Sequence, residues 1–162
     1  MRRYAEDTAV PVSKSRGEVD ALLRGWGAQG IQWTDDFEHD RVMLRFVWPR
    51  GEHRYMARFV VRLPTRDQLA VEAVDGRSGR TSESKLRALM EARGKREHRL
   101  LALWLKAALN AVDAGLVDAE TLFLPFLEGK DGQTFAEAAL PRLADLTSGS
   151  ASRLLPAPGD RR

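Results

Sequence analysis

The stretch Arg41-Val42-Met43-Leu44-Arg45-Phe46-Val47-Trp48-Pro49-Arg50-Gly51-Glu52-His53-Arg54-Tyr55-Met56-Ala57-Arg58-Phe59-Val60-Val61-Arg62-Leu63 decides the fold. Its period is two. Val42, Leu44, Phe46 and Trp48 alternate with Arg41, Met43, Arg45 and Val47, the pattern of a strand with one face on a core. Pro49-Arg50-Gly51-Glu52 is a turn signal. Beyond it Tyr55, Ala57, Phe59, Val61 and Leu63 take one face, and Arg54, Met56, Arg58, Val60 and Arg62 take the other, until Pro64 closes the strand. The segment therefore reads as a β-hairpin. Ile31 and Trp33 alternate with polar neighbours and predict a short strand before it, completing a three-stranded antiparallel meander.

On the N-terminal side, Val10-Pro11-Val12 disfavours helix, so residues 1–14 read as an extended arm. Ser15-Arg16-Gly17-Glu18 is a capping box, and Val19, Leu22, Leu23 and Trp26 follow at helical spacing up to Gly27. On the C-terminal side, residues 65–82 read as a mobile polar loop, in which Leu69 to Val74 could add a short strand. A long helix is predicted from Ser82 to Gly115, with Gly94 as a candidate break. Its second half, carrying Leu100, Leu101, Trp104, Leu105, Ala108, Leu109 and Val112, is nearly all apolar and serves as the core spine. Asp118 opens a short helix that Pro125 ends. Thr134-Phe135-Ala136-Glu137 is a second capping box, opening a helix through Leu140, Leu143 and Leu146 that Pro141 kinks. From 147 to 162 the Ser, Gly, Ala and Pro content predicts a flexible tail. The fold class is α+β, in the order α-β-β-β-α-α, with one domain over 15–146. In it the first helix and the spine of the long helix cover one sheet face.

The 162 residues suit one domain with one core. No apolar run approaches the ~20 residues that span a bilayer. The N-terminal residues turn acidic at once, without the apolar stretch of a secretory signal. Cysteine is absent, which excludes disulfides, thiolate metal sites and cysteine nucleophiles and fits a reducing cytoplasm. The formal charge is +3. A balance that mild makes the distribution of charge matter more than its sum.

Alternation gathers Arg41, Arg45, Arg54, Arg58 and Arg62 on the sheet face opposite the core. Like charges facing across strands repel, so something must offset them. The ordinary offset is nearby Asp and Glu, or a covering helix. The functional one is a phosphate backbone, which guanidinium groups bind bidentately. Single-strand binders usually stack bases on aromatic residues, and this face has none in phase. A second basic cluster (Arg93, Lys95, Arg96, Arg99, with His98) lies on the long helix among Glu91 and Glu97, which reads first as a solvated face. If that end of the helix lies beside the sheet, the two clusters form one groove, over which the loop bearing Arg66, Arg77 and Arg80 could close. The acidic turn Asp35, Asp36, Glu38, His39 and Asp40 matches no metal-binding spacing and reads as a solvated connection. His39, His53 and His98 have no serine in a nucleophile elbow beside them, and there is no Walker A loop and no Gly-x-Gly-x-x-Gly. Trp26, Trp33, Trp48 and Trp104 read as core, with Trp33 the most exposed.

Six segments carry a family likeness: Arg3-Tyr4-Ala5-Glu6-Asp7-Thr8, Val10-Pro11-Val12, Ser15-Arg16, Gly27-Ala28, Leu101 to Gly115, and Asp131-Gly132-Gln133-Thr134. Over most of residues 2–143 the chain resembles a family of small bacteriophage- and prophage-encoded proteins with no assigned activity. The resemblance implies a mobile-element setting in a bacterial cytoplasm and supplies no catalytic residue.

The leading expectation is a non-enzymatic protein without a cofactor or metal. It binds nucleic acid, DNA before RNA and single-stranded in form, through Arg41, Arg45, Arg54, Arg58, Arg62, Arg77, Arg80, Arg96 and Arg99. The alternative is a protein-binding accessory factor or inhibitor of a host defence protein, whose acidic surface meets the same arginines. No membrane partner is expected. Homo-oligomerisation through an uncovered hairpin edge is a third possibility.

Overall fold

A strand with one apolar face needs helices to cover it, and two supply the cover. The computed structural model describes residues 8–74 and 79–143. In chain order the elements are α1 (Val12–Gly25), β1 (Gly30–Asp36), β2 (Arg41–Arg50), β3 (His53–Arg62), α2 (Arg66–Ala70), α3 (Glu83–Asp113), α4 (Ala119–Phe123) and α5 (Phe135–Ala139). Single 3-10 turns follow α4 at Leu124–Phe126 and α5 at Leu140–Arg142. The sheet is a three-stranded antiparallel meander in the order β1-β2-β3, the α+β arrangement its alternation implies. Arg50 pairs with His53 around a two-residue turn, where Gly51 adopts a φ of 59° that side chains resist. That turn sets the register, and Leu44 meets Phe59 while Arg45 meets Arg58.

Val42, Leu44, Phe46, Trp48, Ala57, Phe59 and Val61 are buried on one face. Leu44, Phe46, Trp48, Ala57 and Phe59 pack with Val19 and Leu23 of α1, Ala102, Leu105 and Leu109 of α3, and Phe123 of α4. Glu18 of α1 pairs with Arg99 of α3, while Gly25 and Trp26 lie beside Asn110 and Asp113, so the two helices run side by side in the same direction. A smaller cluster of Leu69, Ala73 and Leu86 ties α2 to the start of α3. No helix of the described residues is long and apolar enough to cross a membrane.

Several local expectations are corrected. Helix α1 begins at Val12, with Pro11 in extended geometry as its N-cap, so the capping box at Ser15 does not form. Ser15 is instead buried in the α1 face that meets α3. Strand β1 runs to Asp36, into the stretch read as an acidic connection. Thr65 and Gln68 close a capping box that starts α2, so the segment from Leu69 to Val74 opens in a helix rather than a strand. Helix α3 passes through Gly94 unbroken. The box at Thr134 and Glu137 forms as expected, but α5 stops at Ala139 before Pro141. Trp33 is half-buried, its indole N–H donating to Asp20 at 2.9 Å and the Arg16 guanidinium 4.9 Å over its ring. Trp104 is the exposed one, at 39%. The arm before residue 8, Arg77 in the 65–82 loop, and everything after 143, including Leu146 and the tail, lie outside the described residues.

His98 makes this packing sensitive to pH. It is 3% exposed, its Nδ1 lies 2.8 Å from the Gly94 carbonyl, and its ring tilts against Trp33. Burial pushes its pKa below the ordinary 6.5; the Gly94 carbonyl opposes this, Arg16 adds to it, and Asp35 and Glu97 oppose it. The fold therefore holds the neutral ring, whereas the unfolded chain takes up a proton near the ordinary value. This contribution is complete above that value and fades as pH falls below it. Thermal unfolding is expected to drop in midpoint between about pH 7.5 and about pH 5.5, and less so in His98→Gln. Equal slopes in both proteins would contradict this. Carboxylates held low by their partners, such as Asp36 at about 2 under the hydrogen bonds from His39 and Arg41, act only at lower pH.

Candidate functional site

The arginine row occupies one face, and most of it is balanced from within the chain. Arg45 and Arg58 stand opposite each other in the register. Glu128 enters between them: Arg45 Nε donates to its Oε1 at 3.1 Å, and Arg58 Nε lies 2.8 Å from the same oxygen as an ion pair without hydrogen-bond alignment. The Arg58 guanidinium also donates to Glu137 and to the Gly132 carbonyl. With side chains 11% and 10% exposed, Arg58 and Glu128 form a largely enclosed pair at the sheet surface. The Thr134 backbone amide, with Arg58 nearby, holds the Glu137 carboxyl below its usual range and keeps it charged. Arg41 is bonded at 2.8 Å to Asp36, its neighbour across the β1–β2 turn.

The remaining expected residues divide. Arg54 sits exposed opposite Pro49 near the hairpin tip, with no ion pair among the described residues. Arg99 turns to Glu18 on α1 and leaves the group. Arg80 is exposed beside Thr81, which bridges to Val74, and does not line the cleft described next. Arg62 and Arg96 meet Arg41 in one place, a cleft of about 700 Å³ at the end of β3. Arg93 joins them there, as does Glu72, its partner on the chain segment after α2. The two basic clusters thus do share a groove, though Asp40, Glu97 and Glu137 line it too. Arg62 has no ion pair among the described residues, and Arg96 has only a long one. The Arg96 side chain is 13% exposed, its nearest carboxylate is Glu97 at 3.7 Å, and its buried Nε has no hydrogen-bond partner among the described residues.

The cleft borders a backbone feature. The Leu63 amide donates to the Asp40 carbonyl, and alternation then directs the backbone groups of Phe59 and Val61 towards β2 and those of Val60 and Arg62 outward. Farther up the same edge, the outward carbonyl of Met56 is taken by the Glu128 amide, and Leu127 bridges to Ala57. The segment after α4 therefore caps the upper half of the β3 edge and stops short of Val60. Phe126 in that segment stacks on Phe59 at 4.4 Å. Below it lies an apolar groove of about 460 Å³ against Leu100, Leu101, Trp104 and Phe126.

Against protein-family profiles, curated proteins and solved structures, the chain has no match. Among the described residues no group of three or more His, Asp or Glu side chains is placed to hold a metal ion. Alternation put Val60 on the arginine face, whereas Trp104 read as core and Phe126, beyond Pro125, carried no signal.

Proposed function

We propose that this chain is a non-enzymatic protein-binding factor that takes its partner along the lower edge of β3. The observation that carries the reading is the joint placement of outward backbone groups at Val60 and Arg62 between a cleft of mixed charge that holds Arg62 and Arg96 and an apolar groove. Polar backbone left at a sheet edge is a ready template for another chain. A half-exposed tryptophan beside it is the kind of side chain that anchors protein contacts. The nucleic-acid reading rests on the same arginines, but internal carboxylates already balance Arg41, Arg45 and Arg58. Their release of counterions to a phosphate backbone is correspondingly reduced.

Selection of displayed random peptides on the full-length protein, beside titration with single-stranded oligo-dT, tests the reading. The expected result is enrichment of peptides whose binding moves the backbone amide resonances around Val60, Arg62 and Trp104, with oligo-dT neither binding tightly nor competing. Failure to enrich any peptide, or salt-dependent oligo-dT binding that disappears in Arg62→Glu, would replace it with the polyanion reading.

A further inference from the structure

We infer that the partner enters as an extended strand, with acidic side chains on one side and apolar side chains on the other, and adds to β3 beyond Phe126. The inference rests on the protein-binding reading and specifies its mode. In a strand, successive side chains point to opposite faces, so an added segment presents one set to each flank of the β3 edge. On the core side that set meets Trp104, Leu101 and Phe126, an apolar wall with room for branched side chains. On the other side it meets Arg62, which has no ion pair among the described residues, and Arg96, whose contact with Glu97 is long at 3.7 Å. A glutamate or aspartate there supplies the missing acceptor in a charge-assisted bond.

Charge also selects among occupants. A second copy pairing antiparallel through the free part of the same edge would set the Arg62 residues of the two chains opposite or diagonal to each other. Like charges directly opposite destabilise a sheet. An acidic segment removes that repulsion. The hydrogen bonds come from the Val60 and Arg62 backbone, and no other backbone group among the described residues bonds to them on that side. Proline is tolerated in an edge strand where its missing N–H faces outward, so Val60→Pro deletes a partner-facing donor while leaving the bonds to β2 intact.

The probe is a short synthetic peptide alternating valine with glutamate, measured by fluorescence anisotropy on the full-length protein. It is expected to bind, and a valine–lysine peptide and a scrambled one are not. Val60→Pro is expected to weaken it by about tenfold or more, whereas Val60→Ala, which keeps the amide, changes little. Arg62→Glu and Trp104→Ala each weaken it through one flank. N-methylation of the peptide backbone needs no change to the protein and guards against misfolding of the proline variant. Strand addition predicts that methyl groups at every second residue abolish binding and that those between are tolerated. Uniform tolerance of N-methylation, with Trp104→Ala still weakening the complex, would overturn strand addition and leave groove docking. If no peptide binds at all, the protein-binding reading falls with it.

Discussion

Phe123→Ala is expected to lower the unfolding free energy by about 4 kcal/mol, within the range for truncating a fully enclosed phenylalanine. The side chain is 0% exposed and is ringed by aromatic groups from every layer of the molecule. Trp26 lies 5.4 Å away from the α1 end, Phe46 5.9 Å and Phe59 6.3 Å away on the sheet, and Trp104 6.4 Å away on α3. Several of these contacts are edge-to-face, a geometry that a shifted neighbour cannot keep with two partners at once. The hole is therefore expected to stay open rather than collapse. Urea unfolding followed by tryptophan fluorescence measures the loss, and a cost below about 1 kcal/mol would mean that the site closes over the missing ring. Phe123→Leu is expected to retain much of the stability by keeping the volume.

Glu128→Ala is expected to cost about 3 kcal/mol, the low end for removing one partner from a buried charged group. Its carboxylate is shared by Arg45 and Arg58, which face each other across the β2–β3 register. Without it two guanidinium groups meet directly, and the largely enclosed Arg58 keeps, among the described residues, Glu137 and the Gly132 carbonyl. Replacing Arg45, Arg58 and Glu128 together by Met is expected to recover most of the loss, since an apolar set of similar volume no longer needs pairing. Denaturant midpoints of the single and triple variants measure both effects. A silent Glu128→Ala would show that the arginines are solvated and that their face is open after all.

What the sequence disclosed and what it hid follow from the range of the interactions. Strand alternation is local, so residue order alone sorts the side chains from Arg41 to Leu63 onto two faces. The neutralisation of that face was hidden because Glu128 and Glu137 lie 83 and 79 residues away from Arg45 and Arg58. No periodicity links positions so far apart. The start of α1 was misplaced because Ser15-Arg16-Gly17-Glu18 satisfies a capping pattern whose competitor, Pro11 before Val12, is equally compatible with a helix entry. Helix α2 does carry a readable signal, Thr65-Arg66-Asp67-Gln68 after Pro64, set within a polar stretch whose composition otherwise suits a loop. The cleft itself was half legible. The coming together of Arg41 and Arg62 with Arg96 was foreseeable if α3 ran beside the sheet, but the free backbone at Val60 depends on where the segment after α4 stops capping the edge.

Hydrogen exchange of the Val60 and Arg62 backbone amides tests the binding edge most directly. In the free protein both are expected to exchange faster than the amides of Phe59 and Val61, which face β2. On addition of the valine–glutamate peptide they are expected to slow markedly, with little change at Arg45 and Arg54. Exchange at Val60 and Arg62 that stays fast while the peptide or oligo-dT protects the hairpin tip would contradict the account and return the function to the exposed arginines.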